Sequence, residues 1–419
     1  MSTHDPKQVV EDLRDHLAAH DRRLAFLFGA GSSSAVNLAP VPAKGQKPEH
    51  KPLIPGIDGL TEVCAAAVKK LGKPETAAWE ALVKQCKQHD HPPNVENILS
   101  KVRSKMDAIS EGETLVGLNQ VQLVKVEKII CSTMAETVSL EGRAIPEWIP
   151  HDEFASWVKK VNRTAPLEIF TTNYDVLFER AFEASNVPVF DGFVGTLEPF
   201  FYSECLDDDD LLPKPKWIRL WKLHGSVNWS LGATDAKNKS KKRIIRSQPN
   251  KSGELILPSD RKYMESRKQP YLAYIDRLSR ILNMEHALLI TCGYSFRDEH
   301  INAIIFGALD NRDTTNIIAL QFQDLHDTDD LVKTAIRSSN LTVIGPNAAV
   351  ISGALGDWQL TEPVDKKTSS FMDAAFDSNA QPEDEGSPAT ASANLMGRMR
   401  LVDFNRFCQF LNAMPQNMQ

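Results

Sequence analysis

Hydrophobic positions along the chain fall into two kinds of run, and the two alternate. Leu24-Ala-Phe-Leu-Phe28 is apolar at every position. A strand with no polar alternation is buried on both faces, as a parallel sheet requires. Leu167 to Thr171, Val187 to Phe190, Ile218 to Leu223, Ala287 to Cys292 and Asn316 to Gln321 read the same way. Between them lie runs of helical period. Val9, Val10, Leu13 and Leu17 share one face, as do Val95, Ile98, Leu99, Val102 and Met106. Leu60, Val63, Cys64, Ala67, Val68 and Leu71 repeat the pattern, with Gly72 at the expected stop. So do Phe154, Trp157, Val158 and Val161, after a candidate cap at Asp152. Two further helices are expected, through Val176, Leu177, Arg180 and Ala181 and from about Glu299 to Leu309. Apolar strands alternating with helices predict an α/β fold with a doubly wound, mainly parallel, Rossmann-like sheet.

The spacing of these runs suggests five segments. Residues 1–58 hold the first strand, its glycine turn and a loop carrying Pro40, Pro42, Pro48, Pro52 and Pro55. Proline blocks helix and central strand alike, and so long a loop beside a glycine turn reads as a lid or binding loop. Residues 59–163 read as a large helical insertion or subdomain, and 164–345 as the rest of the sheet domain. Residues 346–394 form an extension and an acidic polar linker. Residues 395–419 form an amphipathic helix with Phe404, Phe407 and Leu411 on one face. That stripe either docks on another chain or folds back on its own domain.

Composition narrows the function classes. The chain has 419 residues, 42% of them hydrophobic, enough for a substantial core and for two or three domains. A formal net charge of −7 gives no global drive toward nucleic acid or an anionic membrane. No apolar run is long enough to span a bilayer. The first twenty residues are too polar and charged for a secretory signal, so a cytoplasmic protein is expected. The six cysteines include no CxxC, which argues against a zinc ribbon or a dithiol redox motif and for reduced thiols.

Four of the expected strands end in glycine or small polar residues. Phe28-Gly-Ala-Gly-Ser-Ser-Ser34 follows the first. Glycine lets backbone N–H groups approach a phosphate, and serine hydroxyls add donors. It lacks the third glycine of the dinucleotide fingerprint, so alone it is equally a tight strand-to-helix turn. Phe170-Thr-Thr-Asn-Tyr-Asp175 follows the second. There Asp175 either caps the next helix or faces a ligand, and the same choice holds for Asn173. Lys222-Leu-His-Gly-Ser226 offers an imidazole able to take a proton near neutrality, or a histidine packed at a strand end. Thr291-Cys-Gly-Tyr-Ser-Phe296 is a ligand loop or a turn. Ligands of open α/β sheets bind outside the carboxyl ends of strands, so four such turns on one edge favour a nucleotide site.

Gly29-Ala-Gly-Ser-Ser33, Thr171-Thr-Asn-Tyr-Asp175, His224-Gly225 and Gly293-Tyr-Ser295 resemble the sirtuin motif series, in sirtuin order. The pattern is most similar to the sirtuin-like domains of bacterial anti-phage defence proteins, over about residues 20–345, with the helical insertion unmatched. The resemblance implies NAD as substrate. It implies that Gly29, Ala30, Gly31, Ser32 and Ser33 cradle the pyrophosphate and that Asn173 and His224 are catalytic. It further implies that Thr172 lines the site, that Asp175 receives the nicotinamide carboxamide, and that Gly293 and Ser295 contact the adenosine side. Deacylating sirtuins carry two cysteine pairs soon after the histidine-glycine motif. Here residues 226–257 contain no cysteine, so no metal is expected. NAD glycohydrolysis becomes the better expectation, with NAD-dependent protein deacylation or non-catalytic sensing of NAD or ADP-ribose as alternatives. Such proteins commonly act as homo-oligomers with a HerA-like hexameric ATPase, through which any nucleic acid would be met indirectly.

Three other features have plainer readings. His89-Asp-His91 resembles a metal pair but runs into Pro92-Pro93, as a solvated loop would. Asp207 to Asp210 reads as a repelling surface loop, and Lys237 to Arg243 as a solvated loop or hairpin.

Overall fold

The computed structural model describes residues 2–40, 49–88, 92–213, 216–232, 243–249, 270–362, 369–378 and 395–414. Its strands are β1 (Ser2–His4), β2 (Leu24–Phe28), β3 (Glu168–Thr171), β4 (Val189–Phe190), β5 (Phe193–Val194), β6 (Phe200–Phe201), β7 (Ile218–Lys222), β8 (Trp229–Leu231), β9 (Ile244–Arg246), β10 (Leu288–Cys292), β11 (Asn316–Leu320), β12 (Leu341–Ile344), β13 (Ala348–Ile351) and β14 (Ala354–Trp358). Ten of them form one sheet in the order β1-β14-β13-β12-β11-β10-β2-β3-β7-β4. The run from β12 through β11, β10, β2, β3 and β7 to β4 is parallel throughout. From β2 the chain goes to β3, then to the edge strand β4 and back to β7 between them, and crosses over to lay β10, β11 and β12 on the other side. Strand order therefore reverses at the β2–β10 boundary, where α/β sheets hold their ligands.

The unbroken apolar strands are buried on both faces, as their composition dictates. Leu24, Phe26 and Phe28 enter one core, and Ala25 and Leu27 enter the opposite one. The first core is covered by helices Pro6–Ala18, Pro150–Lys160, Leu177–Ala184 and Phe404–Ala413. The second is covered by helices Tyr271–Leu282, Glu299–Asn311 and Asp330–Arg337, beside a small sheet in the order β5-β6-β9-β8. A third core belongs to helices Ile57–Lys69, Lys73–Gln88, Val95–Ala108 and Gln120–Val138. Tyr174, Leu177 and Val227 join it, so this helical body packs directly on the strand ends.

Several expectations are corrected. Helix Pro150–Lys160, read within the 59–163 insertion, packs instead on the sheet: Phe154, Ala155, Trp157 and Val158 lie in its first core. Periodicity marks an apolar face without naming the surface that covers it. Val63, placed on the buried face of its helix, is 42% exposed. The 346–394 extension begins inside the main sheet, with β13 and β14 antiparallel and β1 paired with β14. Within its expected linker, residues Ser369–Ala375 are a helix whose Phe371, Met372 and Ala375 are buried in the first core. The C-terminal stripe folds back. Phe404, Phe407 and Leu411 are buried, and Phe407 meets Phe26 edge-on at 6.2 Å between ring centroids. This covers the apolar face that was a candidate for docking on another chain. Asp209, expected in a repelling loop, pairs with the buried guanidinium of Arg277. The proline-rich loop is pinned at its base by Leu38 N–H to the Lys51 carbonyl and Leu53 N–H to the Val36 carbonyl, at 2.7 and 2.8 Å. Its residues 41–48 lie outside the described residues, as do His89 to His91 and Lys237 to Lys242. Arg243 is described and pairs with Glu198 at 2.6 Å.

Candidate functional site

Parallel pairing puts the carboxyl ends of β10, β2, β3 and β7 side by side, and all four polar turns leave from that edge. The turns after β2 and β10 interlock backbone to backbone. Gly29 N–H donates to the Cys292 carbonyl at 3.2 Å and Gly31 N–H to the Gly293 carbonyl at 3.0 Å. A Cβ on Gly29 would stand 2.5 Å from the Gly293 oxygen, and one on Gly31 would stand 2.5 Å from Gly293 Cα. Gly293 has φ +65°, and a Cβ there would meet the Ser32 nitrogen at 2.6 Å. Each glycine is therefore required by the close approach of these two turns. Ala30 begins the short helix Ala30–Ser34 and is exposed at the rim, and Gly31 and Gly293 are half-buried there.

The turn after β3 is tied into the same knot. Thr172 N–H donates to the Phe28 carbonyl at 3.1 Å. Asn173 is buried, and its Nδ2 lies 3.0 Å from the Gly29 carbonyl, 3.0 Å from Ser32 Oγ and 2.7 Å from Ser33 Oγ. Ser32 Oγ also donates to the Gly29 carbonyl at 2.9 Å. Asp175 makes a cap-like bond, its Oδ1 accepting from Leu177 N–H at 3.0 Å, while Oδ2 accepts from Ser33 Oγ at 2.6 Å. The buried Lys222 ammonium donates to the Asp175 carbonyl and to Glu179 at 3.1 Å, holding the turn from below.

His224 follows β7 and is half-buried in a ring of polar groups. Its Nε2 lies 2.8 Å from Asp298 Oδ2, and its Nδ1 lies 4.0 Å from Glu96 Oε1. Glu96 comes from the first turn of the insertion helix Val95–Ala108 and accepts the Tyr174 hydroxyl at 2.5 Å. Burial alone would lower the pKa of His224. The hydrogen bond to Asp298 and the charges of Glu96 and Asp298 outweigh it, so the imidazole is a stronger base than usual. Burial would raise the Asp298 carboxyl, but the His224 bond and charge, with the Ile301 N–H, hold it below the usual range.

Ser295 stands apart from this knot. It is exposed and lines a cleft of about 620 Å³ beyond the ends of β10 and β11, with Asn302, Gln321 and Asp324. Neither Asn173 nor His224 borders that cleft, and neither do Gly29 to Ser33 or Gly293. Sequence reasoning missed Glu96, Tyr174 and Asp298. Asp298 carried one signal, its place just before an expected helix, and its Oδ1 does accept from Ile301 N–H at 3.0 Å. Glu96 carried none, because it reaches His224 across 128 positions of sequence. Among the described residues no group of three or more His, Cys, Asp or Glu side chains is disposed to hold a metal ion, and no helix is long and apolar enough to cross a membrane.

Residues 167–344 match the family model of the SIR2-like domain. The match supports a sirtuin-like chain with an NAD-related activity over that span. It takes in β3, β7 and β10 and starts after the helical body that separates β3 from β2 in sequence. A comparison with curated proteins found no match.

Proposed function

We propose that the chain is an NAD glycohydrolase that releases nicotinamide and leaves ADP-ribose. The observation that carries this reading is the bonding of buried Asn173 to the Gly29 to Ser33 turn, interlocked with Gly293 at the strand-order reversal, with His224 on the same sheet edge bonded to Asp298. The adenosine half lies toward Ser295 and the open cleft, and the pyrophosphate lies over the turn of residues 29–33 at the exposed Ala30, since the Gly29 and Gly31 N–H groups are already bonded to the Cys292 and Gly293 carbonyls. Departure of nicotinamide leaves an oxocarbenium-like ribose, which needs positioning, a base and one oriented water. Asn173 holds the ribose hydroxyls and that water. His224 takes the proton. Asp175 receives the carboxamide once the Ser33 hydroxyl turns away from its Oδ2.

Hydrolysis is favoured over deacylation because residues 226–257 hold no cysteine with which to build the zinc module of a peptide platform. The same resemblance extends the proposal to NAD depletion in anti-phage defence, by a homo-oligomer working with a HerA-like ATPase in the cytoplasm.

The test is incubation of the purified chain with NAD, with and without the partner and DNA, followed by product identification. Asn173→Ala and His224→Ala are each expected to lower nicotinamide release on the order of a hundredfold to ten-thousandfold while remaining folded. Wild-type turnover in either folded variant overturns the role given to that residue. A strict requirement for an acylated peptide overturns hydrolysis in favour of deacylation.

A further inference from the structure

The reading of His224 as the base leaves open which imidazole nitrogen does the work, and the inference here rests on that reading. A neutral imidazole has one N–H and one lone pair, and the partner of one nitrogen decides the state of the other. Asp298 sits 2.8 Å from Nε2 with Oδ2, and its Oδ1 is fixed by Ile301 N–H in the first turn of helix Glu299–Asn311. A carboxylate accepts and does not donate, so the hydrogen stays on Nε2. Nδ1 is then the nitrogen with a free lone pair, on the side of Glu96 and Tyr174.

We propose that Asp298 is a positioning residue: it holds His224 as the Nε2–H tautomer, anchored to a helix end, and presents Nδ1 to the ribose. The groups facing the ring are Asp298, with His300 behind it, from the Glu299–Asn311 helix and its cap, Glu96 from the insertion, and Tyr174 from the turn after β3. Tyr271 and Tyr294 stand behind Tyr174 and Asp298. The hydrogen bond from the Tyr174 hydroxyl occupies Glu96 Oε1, which leaves Asp298 as the partner at hydrogen-bond distance from the ring. Glu96 of the insertion thus adds charge beside His224, while Asp298 adds charge and sets the orientation of the ring.

The test is Asp298→Asn, because asparagine caps a helix as well as aspartate, yet it loses the charge and, with its oxygen on Ile301 N–H, turns an NH2 donor toward Nε2. In full-length protein with ¹⁵N-labelled histidine, the His224 signal is identified by its loss in His224→Gln. Wild-type protein is expected to show the Nε2–H form, titrating above free histidine. In Asp298→Asn the titration falls, because the charge and the acceptor that held the proton are gone. There kcat is expected to drop on the order of a hundredfold or more with KM little changed. An Nδ1–H signal in wild type overturns the proposal, whether or not the variant folds. So does an unchanged His224 titration in folded Asp298→Asn. If wild-type protein cleaves no NAD, the glycohydrolase reading falls and takes the catalytic consequence with it, while the two NMR measurements still decide the tautomer.

Discussion

At the scale of single residues, the glycines of the site carry a constraint that their motif does not announce. Gly29 and Gly31 could be singled out as a candidate phosphate turn and Gly293 as a candidate adenosine-side turn, because glycine after an apolar strand is a local pattern. That the two turns are packed on each other was not legible, because Gly31 and Gly293 stand 262 positions apart. The constraint has a measurable size. In Gly293→Ala the left-handed backbone costs about 1–2 kcal/mol, and the Cβ also strikes the Ser32 nitrogen 2.6 Å away. The expected loss exceeds about 2 kcal/mol in denaturant unfolding, together with nicotinamide release. A variant of wild-type stability would show that the turns can part without cost. Asp175 teaches a related lesson. From sequence it could cap a helix or face a ligand, and it makes the cap-like bond while also taking the Ser33 hydroxyl.

At the scale of elements, the strands were the most legible part, since an unbroken apolar run such as residues 24–28 fits little except a two-sided burial. The helices were legible as helices but not as neighbours, and Pro150–Lys160 went to the sheet face because nothing in a 3.6-residue period names a partner. Ion pairs between elements were wholly hidden. Glu168 opens β3 and is buried, and its carboxylate takes Arg219 from β7 at 2.7 Å, Trp221 Nε1 at 2.5 Å and Arg277 from helix Tyr271–Leu282 at 2.6 Å. Glu168→Gln removes the charge that both guanidiniums share. Breaking a buried pair from one side costs about 3–5 kcal/mol, because the opposite charge stays behind. The urea midpoint is expected to fall accordingly, and a change under about 1 kcal/mol would mean that Asp209 alone compensates Arg277.

At the scale of the whole molecule, the three cores meet around the site, and two histidines in those surroundings contribute to the pH dependence of folding with opposite signs. His151 is fully buried against Phe178 and Phe404, with neither ring nitrogen bonded. Burial, opposed by Asp175 and assisted by Arg180, pulls its pKa down to about 4. The unfolded chain gains this proton near pH 6.5 and the folded chain only near 4, so stability is lost as pH falls through that window, by about 3 kcal/mol in all. His224 acts in the opposite sense. Its raised folded pKa gives stability that is fully present below pH 6.5 and is lost as pH rises through the folded value. His151→Leu is expected to flatten the acid limb between pH 6.5 and 4 in urea unfolding while leaving the neutral side unchanged. An acid limb as steep as that of wild type would assign it to other groups. The same burial reaches all six cysteines, which are free and lie inside the three cores. The native surface thus offers a maleimide no thiol among its own cysteines. A single cysteine engineered on the exposed rim, at Ala30 or Ser295, would give a folded chain labelled at one chosen point, and a fluorophore there could report on substrate arriving without any native sulfur having to be removed.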